Sequence, residues 1–474
     1  MNPLAPPLWR QLAAAASVLT AVSNGRGSAP ALEAIEPALR PGAQAIALDT
    51  LRQLGRARAL RQRLASRAPP PAVDSLLCCA LALLWREDDQ RYEAFTLVDQ
   101  TVEAAKRQRT TRPQAAFING CLRRFLRDRA ALVAATDDEP EARWNHPRWW
   151  IEQVRADHPD HWQRILEADN ARPPLTLRVN TRKSSVHGYL SRLADLGIEA
   201  RCVGPFAVVI DRPLPVDRIP GFAEGIVSVQ DAAAQLAAPL LLARSPSRAS
   251  HPAHGQDERG ETAPRPLRVL DESGDPAPRR LRVLDACAAP GGKTAHLLEL
   301  ADCEVVAIEI DRERCERIEQ TLARLSLSAT MLVADAGRPD QWWHTECESR
   351  LFDAILLDAP CTASGIARRH PDVRWLRRPG DIAQLAAVQS ALLEALWPLL
   401  AVGGRLLYAT CSVFRAEGSA QIETFLARNN DAMLCASPGH LLPGNAALGP
   451  SVRDNAGGGP DGFFYALLQK KRPT

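Results

Sequence analysis

Residues 282–293, Arg-Val-Leu-Asp-Ala-Cys-Ala-Ala-Pro-Gly-Gly-Lys, decide the fold of this chain. Val283 and Leu284 supply an apolar strand, and Gly291 and Gly292 let the backbone come close to a ligand. Thr294 to Leu300 can then start a helix whose N-terminal amides point at that ligand. A buried strand running into a glycine loop and a helix holds a nucleotide-like cofactor. The spacing is not the G-x-G-x-x-G of dinucleotide folds, and no G-x-x-x-x-G-K-[ST] phosphate loop is present.

Working outward, strand-like runs at 282–287, 304–310, 329–335, 352–358, 404–410 and 463–468 alternate with helical patterns at 294–300, 312–325, 383–400 and 419–428. This alternation predicts an α/β fold, a parallel sheet flanked by helices with its ligands at the strands' carboxyl ends. Glu309 ends the second strand about twenty residues past the glycine loop, where a carboxylate can accept both hydroxyls of a ribose. Asp335 ends the third, placed either to accept from an adenine amino group or to cap a following helix.

Two cysteine motifs close later strands: Asp358-Ala-Pro-Cys361 and Ala409-Thr-Cys411-Ser412. Methylating carbon 5 of a pyrimidine requires that carbon to become nucleophilic, and a thiolate added at carbon 6 achieves this by making an enamine. The cysteine must sit beside the cofactor, ionise near neutral pH and face a base removed from its stack. One cysteine attacks and a second can assist release by general-base action, while Asp358 can hydrogen-bond the ring nitrogen and exocyclic amine, selecting cytosine over uracil. Cys287 opens the glycine loop and is expected to line the cofactor pocket through its backbone without reacting. The other eight of the eleven cysteines read as small core residues.

Upstream, residues 1–145 read as a helical bundle: Leu51, Leu54, Leu60 and Leu64 recur near a 3.6 period, as do Phe95, Val98, Val102 and Ala105. Residues 1–150 carry 21 Lys+Arg against 15 Asp+Glu, although the whole chain is only +3, so a polyanionic partner suits this part. Arg52, Arg56, Arg58, Arg61, Arg63 and Arg67 could track a phosphate backbone or form a solvated helix face. Residues 146–242 read as a small α+β domain, residues 243–280 as a Pro/Ser/Arg-rich insertion or linker, and 281–474 as the catalytic domain. Within the insertion, Leu267 to Asp271 repeats Leu281 to Asp285 without the glycine loop.

At 474 residues and 46% hydrophobic content the chain is neither disordered nor fibrous, and its length argues for several domains. Only five of 58 basic residues are lysine, a bias of genome composition that is discounted as a sign of RNA binding. Eleven cysteines without a C-x-x-C spacing point to free thiols, a reducing cytoplasmic location and no metal site. The apolar stretch Leu12 to Val22 is too short to span a bilayer and reads as a first helix, so no membrane partner is expected.

These motifs resemble those of the bacterial Sun-type 16S ribosomal RNA cytosine-C5 methyltransferases, the RsmB family. The resemblance rests on Asp285 to Lys293, Leu356 to Cys361, Ala367 to Trp375, Tyr408 to Ser412 and Gly459 to Tyr465, and it covers nearly the whole chain. It implies a Rossmann-like class I catalytic domain using S-adenosylmethionine, preceded by a small α+β domain and an all-α, NusB-like RNA-binding domain. It further implies that Cys411 is the nucleophile and that Cys361 helps release the product. Cys287, Ala288, Ala289, Pro290, Gly291, Gly292, Lys293, Glu309, Asp335 and Asp358 would contact the cofactor, with Lys293 and Asp358 also near the reacting base. Arg178 to Thr181 and Gln230-Asp231 match signatures of the small domain.

The implied partner is a stem-loop of small-subunit ribosomal RNA, free or in an early assembly particle, met by a monomer. The family often has Asp where Glu309 stands, and the 243–280 insertion is longer than expected. The competing readings are a non-catalytic RNA-binding assembly factor, the same chemistry on transfer RNA or DNA, and a dehydrogenase, which the missing G-x-G-x-x-G disfavours. Arg368, Arg369, His370, Arg374 and Trp375 have the composition of an RNA-facing loop or of a structural clamp.

Overall fold

Leucines and alanines at helical spacing bury one stripe of each N-terminal helix, so the helices Leu8–Ser23, Arg40–Arg52, Leu54–Leu64, Pro71–Leu84, Ala94–Arg107 and Ala115–Ala134 pack as a bundle. Leu12, Leu19, Leu51, Leu60, Leu77, Ile118 and Phe125 form its core. The computed structural model describes residues 6–87, 91–243, 280–444 and 459–472; nearly all of the expected 243–280 insertion, including the Leu267 to Asp271 repeat, lies outside them. The described residues divide into two compact units, Met1–Arg172 with Ile366–Asp381, and Pro173–Gly365 with Ile382–Thr474.

Two readings of the helical part need correction. Phe95 does not share the buried face of Val98 and Ala105: it stands 79% exposed on the first turn of its helix, ahead of Leu97, where burial begins. Nor do the arginines form a free stripe, because Arg52 and Arg56 are buried and a buried guanidinium must be paired. Arg52 meets Asp49 and the carbonyl of Arg368, and Arg56 meets Thr136 and Asp137. Arg61 pairs with Asp74, Arg63 with Glu139, and Arg58 lies over the Trp375 ring.

The segment 366–381 is built into this unit. Arg374 is fully buried, donating to Asn170 at 2.6 Å and to the Asp169 carbonyl at 2.7 Å, and the Trp375 indole donates to the Leu51 carbonyl at 2.9 Å. Arg368 is buried as well, so Arg368, Arg374 and Trp375 are used for packing rather than held out toward solvent.

The second unit opens with a four-stranded antiparallel sheet of β1 (Leu175–Val179), β2 (Ala200–Cys202), β3 (Ala207–Ile210) and β4 (Val227–Val229), in the order β2-β3-β1-β4. The helix Val186–Asp195, capped by the Ser185 hydroxyl, packs Tyr189 and Leu193 against Leu177, Val179, Val208 and Ile210.

A larger sheet follows from β5 (Leu281–Asp285), β6 (Cys303–Glu309), β7 (Thr330–Val333), β8 (Phe352–Asp358), β9 (Leu400–Thr410), β10 (Ala432–Leu434), β11 (Gly439–Leu441) and β12 (Phe463–Lys470). Its order is β10-β12-β9-β8-β5-β6-β7, with β11 also on β12. The strands β5 to β9 are parallel, as expected, but β12 is not: it pairs antiparallel with its predecessor β11 and so runs back against β9, making the sheet mixed. From β5 the sheet grows one way through β6 and the other through β8, and a switch of this kind leaves a crevice at the carboxyl ends. The helix Pro379–Leu396 is apolar enough for a membrane span by composition, yet Leu392, Leu393 and Leu396 lie in the core of this sheet.

Candidate active site

The crevice beside β5 is built by strand ends that each deliver one functional group. After Asp285 the chain turns through Ala286 to Gly291, with the Ala286 N–H on the Leu356 carbonyl and the Ala288 N–H on the Ile308 carbonyl, both at 2.9 Å. Gly291 has φ of 90°, a left-handed conformation that favours glycine, and the helix Gly292–Leu300 starts directly after it. Thr294 on the first turn donates to the Asp285 carboxylate at 2.6 Å, which fastens the helix start to the end of β5. Asp285 is wholly buried, and burial raises its carboxyl to about 7. Sequence reasoning missed this residue as a site element, although it stands in the quoted stretch.

A cleft of about 410 Å³ is lined by Cys287, Ala289, Glu309, Asp335, Asp358, Cys361 and Cys411, together with apolar Ile310, Pro360, Val388 and Leu392. Of the expected residues, Ala288 is buried, and Pro290, Gly291, Gly292 and Lys293 form the turn and helix start without lining the cleft. Cys287 is pushed well above the usual thiol range, first by burial and then by the carboxylates Asp358, Asp285 and Glu309, so its sulfur stays protonated.

The acids at the ends of β6 and β7 suit a ribose and an adenine. Glu309 makes its described polar contacts through Oε1 alone, accepting from the Asp311 N–H and facing Arg314 at 3.3 Å. Asp335 accepts the Gly337 N–H through Oδ1 at 2.8 Å. The exposed side chains of Ile310 and Val388 add an apolar lining in which a flat ring can lie. This donor set, acids with apolar walls, fits the uncharged sugar and base of S-adenosylmethionine and would repel a phosphate.

The two cysteine motifs lie at the ends of β8 and β9. The sulfurs of Cys361 and Cys411 are 3.3 Å apart, and the Lys293 ammonium is 2.5 Å from the Asp358 carboxylate. Burial lowers the Lys293 pKa, but Asp358, with smaller pulls from Cys411 and Asp285, outweighs it and leaves the ammonium above its ordinary value. Cys361 is held well above the usual thiol range, first by its hydrogen bond with Cys411, then by burial and by the charges of Cys411 and Glu417.

A further element was not legible as a motif. The buried carboxylate of Glu417, on the turn Arg415–Glu417, accepts from the Thr362 N–H at 2.8 Å and from the Thr362 and Ser412 hydroxyls at 2.5 and 2.6 Å.

Profiles of known families match in sequence order: the NusB family over residues 10–127, the ferredoxin-like domain of RsmF/B-like methyltransferases over 146–217, and 16S rRNA methyltransferase RsmB/F over 275–469. Ribosomal RNA small subunit methyltransferase B of Vibrio cholerae is 37% identical over 471 residues, covering 97% of each chain. This chain belongs to the RsmB/F family of 16S rRNA methyltransferases. The protein of the same description from Escherichia coli O9:H4 is 39% identical over 76% of this chain and 74% of its own. Among solved structures, NSun6 from Pyrococcus horikoshii superposes with a TM-score of 0.52 at 18% identity, over 69% of this chain and 99% of its own. A methyltransferase homologue from the same organism gives 0.51 at 24% identity, over 70% of this chain and 97% of its own. These likenesses establish the fold of the RsmB/F chain: a NusB domain, a ferredoxin-like domain and a methyltransferase domain with a mixed sheet.

Proposed function

We propose that this RsmB/F enzyme methylates carbon 5 of one cytosine in a stem-loop of 16S ribosomal RNA, using S-adenosylmethionine and a covalent adduct between Cys411 and carbon 6. The observation that carries the reading is the 3.3 Å separation of the Cys361 and Cys411 sulfurs, in one cleft with Asp358. Cys287, Ala289, Glu309 and Asp335 would hold the cofactor, which supplies an electrophilic methyl group when bound. The reducing cytoplasm, where both thiols stay free, is the compartment this chemistry requires.

The two sulfurs lie within hydrogen-bond distance, so the state of one bears on the other. Cys361 keeps its proton, and Cys411 is the sulfur proposed to attack, with the favourable charge of the Lys293 ammonium nearby. Attack of the Cys411 thiolate on carbon 6 forms the S–C bond and moves the electron pair toward carbon 5 and the ring nitrogen, where a proton passed from the Lys293–Asp358 pair neutralises it. Once the Cys411 sulfur is bonded to carbon it is no longer an anion, so the largest cause of the raised Cys361 pKa is gone. Cys361 can then pass its proton to solvent and take the proton from carbon 5 after methyl transfer, while the S–C bond breaks to return the Cys411 thiolate and the ring nitrogen gives back the proton it took up.

The test is transfer of labelled methyl from S-adenosylmethionine to unmodified small-subunit ribosomal RNA, with the product mapped. Transfer to one cytosine carbon 5, abolished by Cys411→Ala, with Cys361→Ala accumulating a covalent protein–RNA adduct, is the expected result. Label at another atom, or an active Cys411→Ala enzyme, would exclude the covalent route.

A further inference from the structure

The carboxylate of Glu417 sits where the two cysteine loops meet, and its partners flank both sulfurs. Thr362 follows Cys361 and gives Glu417 its N–H and its hydroxyl; Ser412 follows Cys411 and gives its hydroxyl. Gln389 donates to Glu417 Oε1 at 3.2 Å and to the Pro360 carbonyl at 2.9 Å, which fixes the residue before Cys361. The Thr410 hydroxyl donates to the Glu417 carbonyl at 3.2 Å, fixing the residue before Cys411, and the Tyr408 hydroxyl donates to the same carbonyl at 2.9 Å. Every residue adjoining a site cysteine is therefore tied to Glu417 directly or through Gln389. Glu417 is wholly buried, and a buried carboxyl group needs hydrogen-bond donors of this kind.

We infer that Glu417 is a positioning residue for the RsmB/F reaction: by tying together the residues on either side of Cys361 and Cys411, it holds the two sulfurs in contact. This rests on the two-cysteine reading of the site. A sulfur displaced by one ångström loses the approach to carbon 6 that the adduct needs. The carboxylate also bears on Cys361 directly, adding to the causes that raise its pKa. The titratable groups facing the pair are Glu417, Tyr408, Lys293, Tyr465 and Asp358.

Two substitutions separate the effects. Glu417→Gln keeps the shape, since the Thr362 and Ser412 hydroxyls can accept from an amide, and removes only the charge. Glu417→Ala removes the tie itself, and Ser412→Ala, which deletes one donor, serves if Glu417→Ala does not fold. Methyl transfer at saturating RNA and S-adenosylmethionine is measured beside the pH dependence of iodoacetamide alkylation of Cys361 in the full chain without RNA. The expected result is a kcat loss of about 100-fold for the variant that loosens the loops, with KM for S-adenosylmethionine unchanged. Glu417→Gln should move Cys361 alkylation to lower pH, a shift that a merely structural role would not produce. Unchanged kcat in all three variants together with an unmoved alkylation profile would overturn the inference. If the wild type transfers no methyl to RNA, the proposed function fails by itself, and the alkylation profile still decides the role of Glu417.

Discussion

Arg178 on β1 and Glu299 on the helix Gly292–Leu300 form a two-pronged ion pair, Nη2 to Oε1 at 2.7 Å and Nε to Oε2 at 2.9 Å, with both side chains 1% exposed. The remaining Arg178 nitrogen donates to the Gln230 side chain and to the Gly292 carbonyl at 2.6 Å. One arginine of the small sheet therefore braces the helix that begins at the glycine loop. The signatures Arg178 to Thr181 and Gln230-Asp231, seen in the sequence only as motifs, are in part this brace.

Removing one partner leaves a buried charge unpaired. Glu299→Ala should cost about 3–5 kcal/mol of stability. Arg178→Met combined with Glu299→Leu should recover much of that loss, because replacing both charges by apolar groups avoids the desolvation penalty. Because the brace reaches Gly292, the double variant should regain thermal stability while its KM for S-adenosylmethionine stays raised. Denaturant titration and cofactor kinetics on the same preparations check both parts; equal KM values would show that the brace serves folding alone.

The Lys293–Asp358 pair predicts a second split. Lys293→Met removes the cation that outweighs burial and leaves Asp358 facing the cysteines with less compensation. The loss should fall on kcat by about 100-fold, since in the proposed reaction the pair acts on the reacting base, and KM for S-adenosylmethionine should change little because Lys293 does not line the cleft. Steady-state kinetics with each substrate varied in turn provides the check.

What the sequence disclosed follows from how each feature is encoded. Strand ends carrying Glu309, Asp335, Asp358, Cys361 and Cys411 were legible because an apolar run stopping at a polar residue is a local signal, and all five line one cleft. Glu417 was not legible: it lies on a three-residue turn without periodicity, and its partners Thr362 and Gln389 are 55 and 28 residues away in the chain. Arg374 and Trp375 were readable as basic and aromatic but not as packed, since their partners Asn170 and Leu51 lie more than 200 residues earlier. The direction of β12 was also hidden, because an apolar run has the same pattern whichever way it enters a sheet.

Acid should weaken the helical unit through His146. This side chain is wholly buried, touches the Trp144 carbonyl and Asp169, and has its pKa lowered to about 4, chiefly by burial. The unfolded chain takes up this proton near pH 6.5, and the folded chain refuses it until about pH 4. The folded state therefore has its full stability above about 6.5 and loses it as pH falls from there toward 4, by about 3 kcal/mol in all. His146→Gln should flatten that slope, whereas the buried Asp285, raised to about 7, has the opposite sign and loses stability as pH rises from about 4 to 7. Melting temperatures of both proteins between pH 4 and 7 test it, and parallel curves would rule out His146 as the source.

Gly365 predicts a sharp effect of a single methyl group on the reaction. Its N–H donates to the Cys411 carbonyl at 2.9 Å, and its carbonyl accepts from the Gly462 N–H at 2.7 Å, so it joins the second cysteine strand end to the turn that leads into β12. A Cβ at Gly365 would fall 2.1 Å from the Gly462 carbonyl oxygen, a distance at which backbone rather than a flexible side chain must move. Gly365→Ala should therefore push the loop after Cys361 away from β9 and separate the two sulfurs, while Glu309 and Asp335, on β6 and next to β7, keep their places. The expected outcome is retained binding of S-adenosylmethionine by calorimetry with methyl transfer lowered by about 100-fold. Gly462→Ala, whose Cβ would meet Gly365 Cα and the Val413 side chain at 2.8 Å, should behave alike. If both variants bound cofactor and methylated RNA at the wild-type rate, the tight glycine contact would have no part in holding the cysteines together.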